Sequence, residues 1–373
     1  MPESEKDAVV VGAGPAGCAC AIRLAEAGWR VVVFGRAPPG GDRAGESLSP
    51  GAPALLDQLG LGARFAADGH LVCHANASAW GHDALVWHDF LSDPRGPGFH
   101  LDRPLFEARL RGRATEVGAR LVATEAPRER PYAGGSWRFA ATAASPAITA
   151  RYVVDASGRG TCFARGLGAR REVAWEQVAL VAFARAARPI DETFTLTEAV
   201  AAGFWYSAPV PASPGAGGRL ALALFTDAAL HDARSARTAA GFRALLAAAP
   251  HTRRRLEALG ATLDGDARFR DAGSAQLEPA HGQGWVAAGD AAITYDPISA
   301  HGLTLALRTG LDAADALVGD ARGDTAALPG YGARLARAFE AYRRQALLLY
   351  RGEQRWPDAP YWRRRHALAA ALG

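Results

Sequence analysis

The sequence predicts a two-lobe α/β fold, in which a Rossmann-like nucleotide-binding lobe is interrupted by an antiparallel-sheet lobe and followed by C-terminal helices. Three observations predict it. A buried apolar run, Ala8 to Val11, ends in the glycine turn Gly12-Ala-Gly-Pro-Ala-Gly17, and a second run follows at Val31 to Phe34. Short strand-like segments with Pro/Gly turns dominate from about residue 170 to 276. At 373 residues the chain exceeds the usual size of one core, so two lobes are expected in one unit.

The opening elements follow in order. The apolar run changes to helical spacing after the glycines, so Cys18 to Ala27 reads as a helix, closed by Gly28. Strand, turn, helix and second strand make a βαβ unit. The Pro/Gly-rich stretch APPGGDRAGESLSPG reads as a loop, APALLDQLGL as a short helix, SAWGHDALVWHDF as strand, and HLDRPLFEARLRGRATEVGARL as a helix. Leu121 to Tyr152 reads as short antiparallel strands leading to YVVDASG. Beyond residue 170 come strands such as FWYSAPVPASPGAGGRLALALF and one alanine-rich helix near Ala239 to Leu259. GWVAAGDAA returns as strand and turn, with a helix from about Gly302 to Val318. The expected division is 1–75, 100–169 and 277–320 for the cofactor lobe, 76–99 and 170–276 for the substrate lobe, and 321–373 for a helical tail.

Composition excludes several classes. Hydrophobic residues at 49% and charged residues at 21% are globular rather than disordered. The net charge of +4 comes from 42 basic and 38 acidic residues that are interspersed, which argues against nucleic acid. Four cysteines, Cys18, Cys20, Cys73 and Cys162, form no CxxC pair, and His70, His74, His82 and His88 have no ligand-like spacing, so no metal is expected. No apolar run reaches membrane-spanning length and no export signal is evident, so a cytoplasmic location fits.

In the glycine turn, Gly12 permits the tight bend, Gly14 lets a pyrophosphate approach the backbone, and Gly17 allows close helix packing, with the helix N-terminus favouring the anion. An acidic residue is expected at the end of the second strand, to hold the adenosine ribose. Gly35 stands there, followed by Arg36. The missing charged hydrogen bond is worth roughly 1.5–3 kcal/mol, or about ten- to hundredfold in affinity. Arg36 could instead meet a 2′-phosphate, so the turn alone leaves NADP open.

Two later segments, YVVDASGRG and GWVAAGDAAITYDPISAHGL, resemble those of the flavin-dependent monooxygenase superfamily related to p-hydroxybenzoate hydroxylase. The resemblance implies FAD, with Asp155 and Gly158 in a central strand and turn, and Gly289 with Asp290 at the ribityl chain. It also implies that Asp296, Pro297 and Gly302 lead into a helix facing the isoalloxazine, where a helix dipole stabilises negative charge. Arg103 matches an arginine near the FAD phosphates, and Arg43 is a further pyrophosphate or nicotinamide candidate. With no second glycine turn, NAD(P)H is expected to visit transiently, or an external reductase to deliver reduced flavin.

GESLSPGAPALLDQLGL, SAWGHDAL, GFHLDRPLFEARL, FWYSAPVP, DPISAHG and QRWPDAPYWRRR are similar to tryptophan-halogenase-like flavoproteins that mature tryptophylquinone enzymes. The similarity departs at Gly35, in overall length, and at His301, where a glutamine is expected. It implies hydroxylation of an electron-rich aromatic through a flavin C4a-hydroperoxide, on a small molecule or a tryptophan in a partner peptide. Flavin halogenases use a tunnel lysine and a WxWxIP motif; here the sole lysine is Lys6 and that motif is absent, which argues against halogenation. Glu46 and His301 are the acid/base or substrate-orienting candidates, and Trp80, Trp205, Tyr206 and Tyr295 the substrate-binding ones. The competing functions are an alkene-saturating flavin reductase of the geranylgeranyl reductase type and a non-catalytic maturation partner.

Overall fold

The computed structural model describes residues 4–36, 47–128, 130–211 and 218–371. Five parallel strands form the heart of the first sheet, in the spatial order Arg120–Val122, Val31–Phe34, Ser4–Val11, Ile148–Asp155 and Trp285–Ala287. Antiparallel strands at Tyr132–Ala133, Ser136–Phe139 and His281–Gly282 extend it. Val9, Val10, Val32, Val33, Val153 and Val154 are fully buried. Both faces are covered, so continuous rather than alternating apolar runs are selected.

The helix over Pro15–Glu26 covers one face, packed against the helices Arg103–Glu116 and Gly302–Ala321. Its contact with the latter is very close. A Cβ on Gly310 would lie 2.3 Å from the Ala16 carbonyl oxygen, so only glycine fits. The helix begins at Pro15, three residues before the expected Cys18, because proline suits a first helical turn whose N–H groups have no internal partner.

The second sheet runs Thr262–Leu263, Val178–Arg185, Arg219–Thr226, Gly203–Val210, Thr195–Val200, Ala75–Ala79 and Val86–Asp89, with Arg268–Asp271 also paired to Val178–Arg185. One face turns to the main core. The other carries a separate apolar cluster of Leu180, Trp205, Leu222 and Phe242 under helices. Those helices correct one expectation: the stretch from Ala239 to Leu259 is two helices, Ala239–Leu246 and Pro250–Leu259. Pro250 lacks an N–H and disfavours helical backbone at the residue before it, which ends the first helix.

The C-terminal helices Ala327–Arg351 and Pro360–Ala370 bring Tyr350, Tyr361 and Trp362 fully into the core. Tyr361 and Arg365 both donate to Gln177 Oε1, at 2.7 and 3.0 Å, and Arg365 donates to Asp227 at 2.8 Å. Among the described residues, no helix is long and apolar enough to cross a membrane.

Candidate functional site

A cleft of about 420 Å³ runs from the C-terminal edge of the parallel strands to the inner face of the second sheet. The glycine turn forms one end. Gly12 has φ +118°, and a Cβ there would sit 2.1 Å from the Ala156 carbonyl oxygen; one on Gly17 would sit 1.9 Å from that of Gly12. A Cβ on Gly14 would meet no protein atom within 4 Å. Gly14, Pro15 and Ala16 line the cleft at the start of their helix, a site suited to an anion. Gly12 and Gly17 are thus glycine for the fold, whereas Gly14 is open towards the space a ligand would use.

Gly35 and Arg36 stand beside this end. A Cβ at position 35 would come within 2.5 Å of Ala13 Cβ and 2.6 Å of its nitrogen, so the expected acidic side chain is excluded by close strand–turn packing. Arg36 is largely exposed, pairs with Glu125 at 3.2 Å and is not part of the cleft wall.

Three aspartates behave differently from one another. Asp155 is fully buried and accepts from Ser157 N and Oγ and from the Phe163 and Ala164 N–H groups, at 2.6–3.1 Å. Its carboxylate is consumed in shaping the turn that presents Gly158 to the cleft. Asp290 itself faces the cleft beside Arg159 at 3.6 Å. Burial against the wall pushes its pKa up, while Arg159 pulls the other way. Its turn is wedged in place: a Cβ on Gly289 would lie 2.6 Å from Ala16 Cβ, and Gly289 N–H donates to Thr309 at 2.8 Å. Asp296 is fully buried and points away, accepting from Trp175 Nε1 at 3.0 Å, Tyr350 Oη at 2.6 Å and Ile298 N at 2.9 Å. The helix Ala327–Arg351, through Tyr350, thereby fixes the turn in which Pro297, Ala300 and Gly302 line the cleft.

The helix Gly302–Ala321 starts at the cleft wall and aims its positive end there. His301, its N-cap residue, turns its ring back so that Nδ1 meets the Ser299 carbonyl, and it is not among the lining residues. Arg103 lines the cleft and is held by buried Glu107 at 2.8 Å. Arg43 and Glu46 lie outside the described residues.

The sheet end is apolar and aromatic. Ala179 and Val181, and Ala221, Ala223 and Phe225, alternate along neighbouring strands to face the cleft. Alternation also separates two expected partners: Tyr206 lines the cleft, with its hydroxyl 2.6 Å from Ser47 Oγ, whereas Trp205 points to the opposite face, fully buried against Phe242. Trp80 is likewise a packing residue, donating to the Leu349 carbonyl at 2.8 Å and touching the Phe204 and Trp362 rings. Tyr295 lines the cleft and stacks on Tyr342 with ring centroids 3.9 Å apart.

Sequence reasoning missed Ser47, Arg159 and Arg171. Arg171 donates to the Asp290 carbonyl at 2.9 Å and to Thr294 at 2.9 Å, bracing the Gly-Asp turn. Arg159, directly after Gly158, was available as a signal; Arg171 comes from a distant strand and was not. Among the described residues no cluster of His, Cys, Asp or Glu could hold a metal.

An open glycine at a helix N-terminus, a cleft-facing arginine and carboxylate, and a second helix N-terminus beside an apolar chamber fit FAD. Fold and site define an FAD-dependent oxidoreductase, and an FAD dependent oxidoreductase family model matches residues 7–70. A tryptophan halogenase family model matches residues 89–371, most of the chain, and the protein belongs to that family. The protein LodB of Marinomonas mediterranea is 26% identical over 98% of each chain. A 1H-pyrrole-2-carbonyl-[peptidyl-carrier protein] brominase of Pseudoalteromonas luteoviolacea is 26% identical over 83% of this chain and 77% of its own. Among solved structures, the myxobacterial chondrochloren halogenase CndH superposes with a TM-score of 0.86 at 22% identity, covering 98% of this chain and 86% of its own. The peptidyl tryptophan dihydroxylase QhpG superposes with a TM-score of 0.76 at 24% identity, covering 97% and 79%. Both structural likenesses bear on the fold.

Proposed function

We propose that the protein is a monooxygenase that hydroxylates an electron-rich aromatic ring, with FAD held along the cleft. The observation that carries this reading is the position of Lys6. It is the sole lysine of the chain and lies six residues before Gly12 on the first strand, paired with Ala150. At ~3.3 Å per residue this is roughly 20 Å from the glycine turn, towards the opposite edge of the sheet. The amine that halogenation requires in this family therefore has no counterpart in the cleft, and guanidinium, which stays protonated, does not replace it.

In this reading the helix N-terminus at Gly14 and the Arg103 guanidinium bind the FAD phosphates, and Asp290 takes the ribityl hydroxyls. The amide end of the helix at Gly302 stabilises negative charge at the flavin ring. FAD, when bound and reduced, supplies the oxygen-activating chemistry. The small apolar residues Ala179, Ala221 and Ala223 leave room for a flat ring and keep water from it. Tyr206 and Tyr295 border the ring's position, and the substrate is a small aromatic or a tryptophan within a polypeptide. QhpG is named for the latter chemistry.

Halogenation is the second reading, favoured by the family itself and by the brominase relative. Turnover of an aromatic panel with FAD, a flavin reductase, oxygen and excess bromide separates the two. Hydroxylation yields products carrying one added oxygen, with activity unchanged in Lys6→Met. Brominated products, or loss of turnover in Lys6→Met, would overturn the proposal.

A further inference from the structure

Tyr295, on the cleft wall, is the first of five aromatic rings that lead through the core to the protein surface. Its ring stacks on that of Tyr342, with centroids 3.9 Å apart and planes 11° from parallel. The Trp175 ring follows at 6.0 Å, that of Tyr350 at a further 6.3 Å and that of Trp80 at a further 6.0 Å. Tyr342, Trp175 and Tyr350 are buried, whereas Trp80 is only half-buried. Core packing alone accounts for rings in contact. It does not account for the carboxylate set among them.

That carboxylate is Asp296, which is fully buried. One of its oxygens, Oδ2, accepts from Tyr350 Oη at 2.6 Å and from Trp175 Nε1 at 3.0 Å. A phenol or indole that loses an electron becomes a strong acid, so it is most easily oxidised where a base already holds its hydrogen. Asp296 is that base for both rings.

Tyr361 shows the contrast. Its ring is fully buried 6.3 Å from that of Tyr350, but its hydroxyl donates to the Gln177 amide oxygen at 2.7 Å, and the Arg365 guanidinium lies 3.5 Å over the ring. An amide oxygen does not take up the proton, and the cation opposes positive charge on the ring. Tyr350 lies 5.6 Å from the same cation, yet its oxidised ring stays neutral because Asp296 receives the proton. The branch to Tyr361 is therefore closed, and the row continues to Trp80.

We infer that Tyr295, Tyr342, Trp175, Tyr350 and Trp80 form a path that carries a one-electron oxidising equivalent out of the cleft to the surface. The inference rests on FAD being held in the cleft. Tyr295 gives one electron to photoexcited oxidised flavin, the defined oxidant of this class. Tyr342 then returns an electron to Tyr295, Trp175 to Tyr342, and Tyr350 to Trp175, and in that last step the Tyr350 phenolic proton passes to Asp296. Trp80 returns an electron to Tyr350, which recovers its proton from Asp296. A soluble reductant such as ascorbate restores Trp80, so the sum is one electron moved from ascorbate to the flavin, with the chain unchanged.

The test is flash photolysis of the full-length, FAD-loaded protein, read by the absorption of aromatic radicals with and without ascorbate. The wild type should give a tryptophan radical whose decay ascorbate accelerates. After prolonged illumination in air, peptide mass spectrometry should find added oxygen on Trp80. Tyr350→Phe and Trp80→Phe should each abolish the ascorbate-sensitive radical and shift the added oxygen to Tyr295, Tyr342 and Trp175. Trp80→Phe, a change at the surface, gives this test independently of core packing. Tyr361→Phe removes a neighbouring buried hydroxyl of the same kind and should leave both readouts as in the wild type. A wild type with no ascorbate-sensitive radical, or a radical that survives Tyr350→Phe or Trp80→Phe, would overturn the inference and leave the FAD reading standing. A protein that takes up no FAD would overturn that reading and the inference together.

Discussion

At the glycine-turn end of the cleft backbone sets the shape, whereas at the sheet end side chains gathered from distant segments do. Gly12, Gly14, Gly17, Gly158 and Gly302 shape the first end and the openings of two helices. Tyr206, Ser47, Phe225 and Tyr295 shape the other, and they meet only because three strands and a turn are packed together. The difference teaches where specificity resides. A shape made by backbone suits a cofactor common to many proteins, while a chamber lined by side chains can be altered residue by residue without disturbing it.

The largest expected effect breaks the backbone end. Gly17→Ala forces a methyl group to 1.9 Å from the Gly12 carbonyl oxygen, and about 3 kcal/mol of stability should be lost, with FAD binding. Gly14→Ala meets no protein atom, so the melting curve of the FAD-free protein should move by less than about 0.5 kcal/mol while FAD affinity falls about tenfold or more. Flavin titration and thermal melts on both variants check the pair. Equal destabilisation by the two would erase the distinction between fold glycine and ligand glycine.

Next are the carboxylates. Asp155→Asn should cost about 2–3 kcal/mol in urea unfolding, since four hydrogen bonds converge on that carboxylate. Asp290→Asn should leave stability unchanged or slightly raised, because the fold already penalises the ionised form, and should weaken FAD binding.

The side-chain end has its own pH signature through buried His100, which meets Ser47 Oγ at 3.2 Å and whose folded pKa of about 4 lies below its ordinary value of 6.5. The unfolded chain takes up the proton first. Stability is therefore complete above about pH 6.5 and is lost as pH falls from there towards about 4, by about 2 kcal/mol between pH 7 and 5. His100→Gln should remove that component from the pH dependence of the urea midpoint. The smallest effect belongs to Arg36→Ala: an exposed ion pair with Glu125 contributes less than about 0.5 kcal/mol, and neither stability nor FAD affinity should change measurably. A tenfold loss of FAD affinity would instead give Arg36 the role of the missing acidic residue.

The same contrast explains what the sequence disclosed. The βαβ unit, the glycine turn and the Gly-Asp turn were readable because each is a local run whose spacing states its geometry. The adenosine-end departure was visible as Gly35, but its cause, close contact with Ala13, was not. Tyr206 and Trp205 are neighbours in sequence, and strand alternation sends them to opposite faces. Asp296 belongs to a motif that leads into the cleft, yet Tyr350 from a helix near the C-terminus draws its side chain away. Ser47 and His100 could not be joined from sequence, since their contact depends on antiparallel pairing between Ser47–Leu48 and Gly98–His100.

The central claim is oxygen transfer to an aromatic ring in a cleft that holds FAD but no lysine, and the most direct measurement is the source of the product's new atom. With reduced FAD, an aromatic such as indole, bromide and ¹⁸O-labelled dioxygen, the account predicts a product carrying one ¹⁸O on the ring. A ring carrying bromine in place of hydrogen, or oxygen drawn from water, would contradict it.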